Sequence, residues 1–295
     1  MQNAIKLSPE TVVAISGASS GIGAALAERL AMGGVRLALC ARRRERLSHV
    51  AARARSLGAE VLEVVADVSV EEEATDFIER TLDTYNGRLD VLIANAGRGH
   101  CAAVEDTPSE QLYSMFAVNV FQLWYLVRPA LPVMRAQQRG HIVAISSIAG
   151  KIAYPYNAAY TAAKHAVVGF IAALRTELVE TGVEATVVCP AGVETEWASA
   201  TEGMPIGDLF ADGIARSRTI ARERGIPRAP LQRMMSAADV AQKIISVIES
   251  PPGADVFTHD GSEELVAMAL ASRRSYEQAM LPLLLGMRQS YEERR

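Results

Sequence analysis

Tyr160, Thr161, Ala162, Ala163 and Lys164 form a Y-x-x-x-K run, and Ser147 stands thirteen residues ahead of Tyr160. That spacing can bring a phenol, an ammonium and a hydroxyl to one carbonyl, which is the chemistry of a reductase. If Tyr160 opens a helix, Lys164 lies one turn on along the same face, its charge close to the phenol. A phenol with a pKa near ~10 is a poor proton donor and acceptor at neutral pH. A neighbouring cation favours phenolate and moves that value towards the working range. Ser147 follows the apolar run His141-Ile142-Val143-Ala144-Ile145. It would emerge at the carboxyl edge of a strand, where open α/β sheets place ligand sites. A Y-x-x-x-K run alone is also what a surface pair on an alanine-rich helix looks like, so its meaning depends on the elements that position it.

Those elements alternate. Val12–Ser16, Arg36–Cys40, Val61–Val65, Val91–Asn95, Ile142–Ser146 and Ala185–Cys189 read as buried strands. Between them Gly23–Ala31, Arg44–Leu57 and Val70–Tyr85 have helical period and stop at or just before glycines. A helix over Pro108–Arg128 carries Asn119, and another runs from about Tyr160 to Glu180. Strands separated by single helices imply parallel pairing with right-handed crossovers, hence an α/β doubly wound sheet with helices on both faces. The stretch 197–235 breaks this rhythm with glycines, prolines and scattered charge, and is expected to be a mobile flap. No linker, internal repeat or low-complexity stretch divides the 295 residues, so one domain over 1–295 is expected.

Gly17-Ala18-Ser19-Ser20-Gly21-Ile22-Gly23 follows the first strand and opens the first helix, the context a dinucleotide fingerprint requires. The glycines permit tight turning and close backbone approach. The helix N-terminus offers free N–H groups and a positive dipole end to a pyrophosphate. The spacing is G-x-x-x-G-x-G rather than G-x-G-x-x-G. The second strand ends Ala41-Arg42-Arg43-Arg44, without the acidic side chain that would bind the ribose hydroxyls of NAD. Guanidinium there suits a 2′-phosphate, which a carboxylate would repel. NADP(H) is therefore the expected cofactor, with Arg42 its first contact and Arg43 its second; a solvated basic helix start accounts for Arg44.

Together these residues resemble the short-chain dehydrogenase/reductase family, from roughly Thr11 to Val256. Gly17, Gly21 and Gly23 match its glycine loop, with Ser16 where threonine is usual. Asp67-Val68 resembles the pair that contacts adenine, and Asn95-Ala96-Gly97 the N-A-G motif that ends the fourth strand. Asn119, Ser147, Tyr160 and Lys164 match the catalytic tetrad. Pro190-Ala191-Gly192-Val193-Glu194-Thr195 resembles the segment beside the nicotinamide, with Ala191 replacing a glycine while Pro190, Val193 and Thr195 keep their places. The resemblance implies a single Rossmann-type domain, Tyr160 as general acid in reduction and base in oxidation, and Ser147 bonded to the substrate oxygen. It implies that Lys164 holds the nicotinamide ribose and tunes Tyr160. It also implies that Asn119 interrupts its helix and seats a water that links Lys164 to solvent. A homodimer or homotetramer built on the helices bearing Asn119 and Tyr160 is implied as well.

Other residues are open to several uses. His100 and Cys101, just past the N-A-G motif, could touch substrate, and Tyr154 and Tyr156 could line the pocket. His165 faces away from Lys164 and is expected to pack. Glu194 and Glu196 are expected to be solvated, though a carboxylate beside Thr195 could select a polar substrate. The tail 261–295 carries apolar stretches at Leu265–Leu270 and Met280–Met287, with Pro282 inside the second. It reads, in order of preference, as a helical extension packed on its own domain, a dimer arm, or a membrane-surface helix.

Composition narrows the classes. A formal charge of −4 gives no general attraction to nucleic acid. No stretch approaches ~18 uninterrupted apolar residues and the first ten carry no leader pattern, so a soluble cytoplasmic protein without a transmembrane segment is expected. Cys40, Cys101 and Cys189 suit reduced thiols, and no metal motif appears. The function expected is hydride transfer between NADP(H) and a small-molecule carbonyl or secondary alcohol. An apolar substrate is favoured by Trp197, Met204, Ile206, Leu209, Phe210, Met234 and Met235 in the flap. The alternatives are an NADP(H)-binding sensor on the same fold, or an epimerase or dehydratase that recycles bound cofactor.

Overall fold

The computed structural model describes residues 4–226 and 233–295. Seven parallel strands form one sheet: β1 (Val12–Ser16), β2 (Arg36–Ala41), β3 (Glu60–Val65), β4 (Val91–Ala94), β5 (Gly140–Ile145), β6 (Val183–Cys189) and β7 (Val256–Phe257). Their spatial order is β3-β2-β1-β4-β5-β6-β7, in registers such as Val12 opposite Arg36 and Val13 opposite Val91. The strand order reverses between β1 and β4, so their carboxyl ends open a crevice, which is where doubly wound sheets bind ligands.

Period-two alternation sorts the strand side chains into two cores. Val13, Ile15, Leu37, Leu39, Val143 and Ile145 point to one face. There they meet α1 (Gly21–Ala31), α2 (Arg44–Ser56) and α8 (Ala237–Glu249) through residues such as Leu26, Leu47 and Ile244. Val12, Ala14, Ala38, Ile142 and Ala144 point to the other. Their partners there are Phe77 of α3 (Glu71–Thr84), Leu126 of α5 (Gln122–Gln137) and Ile171 of α6 (Ala158–Glu177). Because both faces are covered, the inner strands read as unbroken apolar runs, each fully buried Val, Leu or Ile contributing ~1.5–3 kcal/mol.

Three expectations change, and two elements were not expected. The third strand is the sheet edge, and most of it is only half-buried. The helix expected over Pro108–Arg128 is α4 (Ser109–Phe116), a π turn (Ala117–Phe121) and then α5, which continues through Pro129 and Pro132 to Gln137. Burial of Leu123, Leu126, Val127, Ala130 and Met134 along one face carries α5 past the hydrogen bonds those prolines cannot make. The stretch expected to be a flap contains a nineteen-residue helix, α7 (Ile206–Arg224). Its buried positions Ile206, Leu209, Gly213, Ser217, Ile220 and Ala221 recur at helical spacing, a signal that small and polar residues obscure. Residues 227–232 of that stretch lie outside the described residues. Finally, α8 and the two-residue β7 had no sequence reading at all.

The tail forms α9 (Ser262–Ala271) and α10 (Arg273–Arg294), and Pro282 sits inside α10. α10 lies against α7, and Tyr276, Met280, Leu283, Met287 and Tyr291 are buried there with Ile206 and Leu209 in a third apolar cluster. Cys40, Cys101 and Cys189 are buried free thiols. No helix of the described residues is long and apolar enough to cross a membrane.

Candidate active site

Tyr160 stands in the first turn of α6, and Lys164 one turn later; they are 8% and 4% exposed. Ser147, just past the end of β5, caps a short 3-10 turn (Ile148–Gly150) by accepting the Ala149 N–H at 3.1 Å, and it lines the same cavity as Tyr160. The two segments are fastened together. Ser146 Oγ donates to the Lys164 carbonyl at 2.9 Å, and a Cβ on Gly150 would fall 2.6 Å from both of those oxygens.

Burial pushes the Tyr160 phenol up to about 12, against a lowering pull from Ser147. The same burial pushes Lys164 down to about 8. This corrects the expectation that the ammonium draws the phenol towards neutrality. Lys164 Nζ lies 5.7 Å from the centre of the Tyr160 ring and donates to the Ile145 carbonyl at 3.0 Å, so one of its N–H groups is taken up by the strand end.

Asn119 lies in the π turn, an interruption that often marks functional sites. Its Nδ2 donates to Met115 O at 2.9 Å and Arg98 O at 3.1 Å. Its Oδ1 is buried without a hydrogen-bond partner among the described residues. A Cβ on Gly97 would lie 2.7 Å from that Oδ1 and 3.3 Å from Lys164 Nζ, so both atoms face the same small space.

At the other end, Gly17 and Gly21 have φ of +67° and +54°, a region open to glycine and strained for other residues. A Cβ on Gly17 would meet Ala96 Cα at 2.8 Å, and one on Gly23 would meet Gly17 O at 2.5 Å. Asn95 Nδ2 donates to Ser16 O at 3.0 Å and Gly17 O at 3.2 Å, tying the loop to β4. Ser20, at the N-cap of α1, makes no side-chain capping bond, so the first N–H groups of that helix remain free to meet an anion. A cradle that any Cβ would fill, beside uncapped helix amides, fits the pyrophosphate of a dinucleotide.

Arg42 is 65% exposed on its side chain and lies 3.3 Å from Asp67, whose carboxylate also accepts Ser69 N–H and Oγ–H at 3.0 and 2.7 Å. Those bonds and the guanidinium outweigh the burial that raises Asp67, leaving its carboxyl below the usual range. Arg43 donates to Ser20 Oγ at 2.6 Å, to Ser19 Oγ at 3.2 Å, and across the mouth to Glu196 at 3.4 Å.

One cavity of about 770 Å³ joins the two ends. Gly17, Ser19, Ser20, Gly21, Ile22, Arg42, Arg43, Asp67, Val68, Asn95, Ala96, Gly97, Ser147, Tyr160, Lys164, Pro190, Val193 and Thr195 all line it. Gly23 and Asn119 stand behind its wall, acting on the loop and on the space beside Lys164. Trp197 leans on Tyr160 with ring centres 5.1 Å apart, and Phe210 of α7 meets Tyr154 edge-on at 5.3 Å. Of the apolar residues expected around substrate, Trp197, Ile206, Phe210 and Met234 line the cavity, whereas Met204, Leu209 and Met235 do not.

The residues left open separate cleanly. Tyr154 and Glu196 line the cavity; His100, Cys101, Tyr156 and Glu194 do not. His100 and Cys101 pair with Glu202 and Gly203 in a two-residue ladder, and Tyr156 stacks on Tyr291 at 3.9 Å. His165 is exposed on α6, its Nδ1 2.9 Å from Thr161 O.

Sequence reasoning missed several supports. Ser16 Oγ accepts the Asn95 and Ala96 N–H groups, each at 3.1 Å, and donates to Gln122 Oε1 at 3.2 Å. His259 Nδ1 accepts Ala191 N–H at 3.1 Å and its Nε2 lies 2.7 Å from Gly192 O, an arrangement for a neutral ring. Burial holds that imidazole below its ordinary pKa. His259 thus steadies the loop in which Ala191 stands. Arg98 pairs with Glu202 beside Asn119, and Leu283 of α10 reaches the cavity. None of these has a local spacing that would announce it.

The family model described as short chain dehydrogenase matches residues 11–204. The chain is 33% identical over 235 residues, 79% of its own length and 84% of the relative's, to a candidate ketoacyl reductase of the granaticin polyketide synthase from Streptomyces violaceoruber. It is 30% identical over 275 residues, 90% of its length and 82% of the relative's, to dehydrogenase/reductase SDR family member 7B of Bos taurus. A solved short chain dehydrogenase/reductase from Burkholderia phymatum, in complex with NAD, is 28% identical with a TM-score of 0.74, covering 90% of this chain and 94% of that one.

Proposed function

The chain belongs to the short chain dehydrogenase family and is an oxidoreductase of that kind, and from this premise we propose that it is an NADP(H)-dependent carbonyl reductase, or alcohol dehydrogenase in reverse. The observation that carries the reading is that Ser147, Tyr160 and Lys164 line the same cavity as the glycine cradle.

A nicotinamide bound there supplies the hydride. Gly17, Ser19, Ser20, Gly21 and Ile22 would hold the pyrophosphate, Asp67 and Val68 the adenine, Asn95 to Gly97 the nucleotide along β4, and Pro190, Val193 and Thr195 the nicotinamide. This chain's own groups manage the proton. Tyr160, protonated at neutral pH because burial holds it near about 12, gives its proton to the substrate oxygen as charge develops there. An alkoxide is a stronger base than a phenolate, so a raised phenol still passes its proton downhill during reduction. Ser147 donates a second hydrogen bond to the same oxygen. Lys164 then faces a phenolate, and its ammonium stabilises it. A water between Lys164 Nζ and the unpartnered Asn119 Oδ1 would return the proton.

The preference for the 2′-phosphate rests on this chain's own arginines. β2 runs into Arg42 and Arg43 with no carboxylate at its end. The Arg42–Asp67 pair is exposed, worth ~0–1 kcal/mol, and readily yields to a phosphate.

The test is NADPH consumption with a panel of ketones, aldehydes and quinones, for the wild type beside Tyr160→Phe. Turnover that falls by about 10²–10⁴ in the variant is expected, the usual worth of a positioned general acid. Demonstrable NADPH binding without turnover of any carbonyl would turn the assignment towards a sensor.

A further inference from the structure

The far wall of the cavity comes from α7 and, through Leu283, from the tail of the chain, both past residue 204 where the family match ends. Resting on the reductase reading, we infer that α10 gauges substrate length: Leu283, backed by Phe210 and Ile214 of α7, sets how long an uncharged apolar chain the reacting carbonyl can carry.

The two helices meet backbone to backbone. A Cβ on Gly286 would lie 2.7 Å from Gly213 O, and one on Gly213 would lie 2.5 Å from Met287 Cγ and 3.2 Å from Leu283 Cδ1. Only glycine at both positions lets α10 come this close, and the close crossing is what brings Leu283 into the cavity lining. Polar bonds lock the crossing along its length. Ser290 Oγ donates to Asp212 at 2.6 Å, Arg294 to Asp212 at 2.9 Å, and Arg216 to Glu293 at 2.7 Å.

α10 is also fastened to the loops that frame the catalytic groups. Tyr276 donates to Ala153 O at 2.8 Å, between Ser147 and Tyr160. Tyr291 accepts Ala103 N–H at 2.9 Å and stacks on Tyr156, which is held at φ +60°. These contacts tie the helix that carries Leu283 to the segment between Ser147 and Tyr160. The wall carries no free charge: among the described lining residues near it, Arg98 and Glu202 pair with each other, and Glu196 pairs with Arg43 and Arg46. Such a wall rewards methylene groups and penalises ionised ones, which would lose their water without a partner.

The experiment measures two homologous series on the full chain loaded with NADPH. Primary n-alkyl amides from butanamide to dodecanamide, which present a carbonyl but are not reduced, are titrated by calorimetry, and the matching methyl ketones are assayed for turnover. Amide affinity is expected to climb about fourfold per added methylene, from ~0.8 kcal/mol each, and then to level off at a limiting length. That limit should shorten in Leu283→Trp and lengthen in Leu283→Ala. Should the tryptophan variant fail to fold, Leu283→Ala and Leu283→Val read the same shift in one direction. A limit that stays put in every folded variant, or no amide binding at all, overturns the inference. Amide limits that move with Leu283 while no ketone is reduced would refute the reductase reading and leave this one standing; ketone turnover with a fixed limit would do the reverse.

Discussion

The two ends of the cavity are built on opposite principles. At the cofactor end, backbone does the holding: Gly17 at φ +67°, Asn95 bonded to Ser16 O and Gly17 O, Thr195 methyl packed where a Cβ on Gly21 would come within 3.2 Å. At the substrate end, side chains do it: Trp197 against Tyr160, Phe210 against Tyr154, and Leu283 delivered by a helix from the tail. Main-chain cradles tolerate almost no substitution because a backbone path has no alternative rotamer. Apolar walls tolerate exchange if volume is kept, and so can change substrate while the chemistry stays.

The largest test of that contrast is Gly17→Val. A left-handed backbone costs a substituted residue ~1–2 kcal/mol, and the contact with Ala96 adds ~1–3 kcal/mol of overpacking. NADPH affinity, read by fluorescence titration, should fall about a hundredfold or more. A loss below threefold would break the claim that backbone shape governs this end.

Lys164 gives a second, pH-dependent test at the junction. Its folded pKa of about 8 lies below the ordinary 10.5, so its charged form is penalised in the folded state. The penalty is present in full below pH 8 and is relieved as pH rises towards 10.5. Wild type should therefore gain on Lys164→Met through that window, by ~3 kcal/mol at 1.36 kcal/mol per tenfold, in denaturant melts at stepped pH. Leu283→Ala, which keeps Lys164, should rise in parallel with wild type, so that their difference stays constant through the window. Parallel slopes for wild type and Lys164→Met would remove the contrast between the ends.

The smallest effect belongs to the exposed Arg42. Arg42→Asp should lower the ratio of NADPH to NADH efficiency by about tenfold, since a screened surface contact carries only ~1–1.5 kcal/mol. A variant that keeps its preference would move the assignment to Arg43.

Much of the cofactor end was legible along the chain because its parts are local. Gly17 to Gly23, Asn95 to Gly97 and Tyr160 to Lys164 are short runs in which spacing alone fixes which atoms face one another. The substrate end was not. The apolar period of α7 is interrupted by Gly213 and Ser217, which look like loop residues until α10 is laid against them. His259 steadies Ala191, and Gln122 steadies Ser16, across gaps in sequence that no pattern spans. The direction of the Tyr160 shift was misjudged for a related reason. Helical spacing places Lys164 beside the ring, but only the packed structure shows its ammonium donating to Ile145 and the phenol largely buried in the cavity wall.

By itself, the sequence determined the alternating strands and helices, the glycine loop and the order of the chemical groups, since hydrophobic period and turn chemistry act over a few residues. Tertiary structure alone decided the π turn that aims Asn119, the pKa values of the buried pair and the reach of Leu283 into the cavity. Those depend on burial and on contacts between distant segments, which no local pattern encodes.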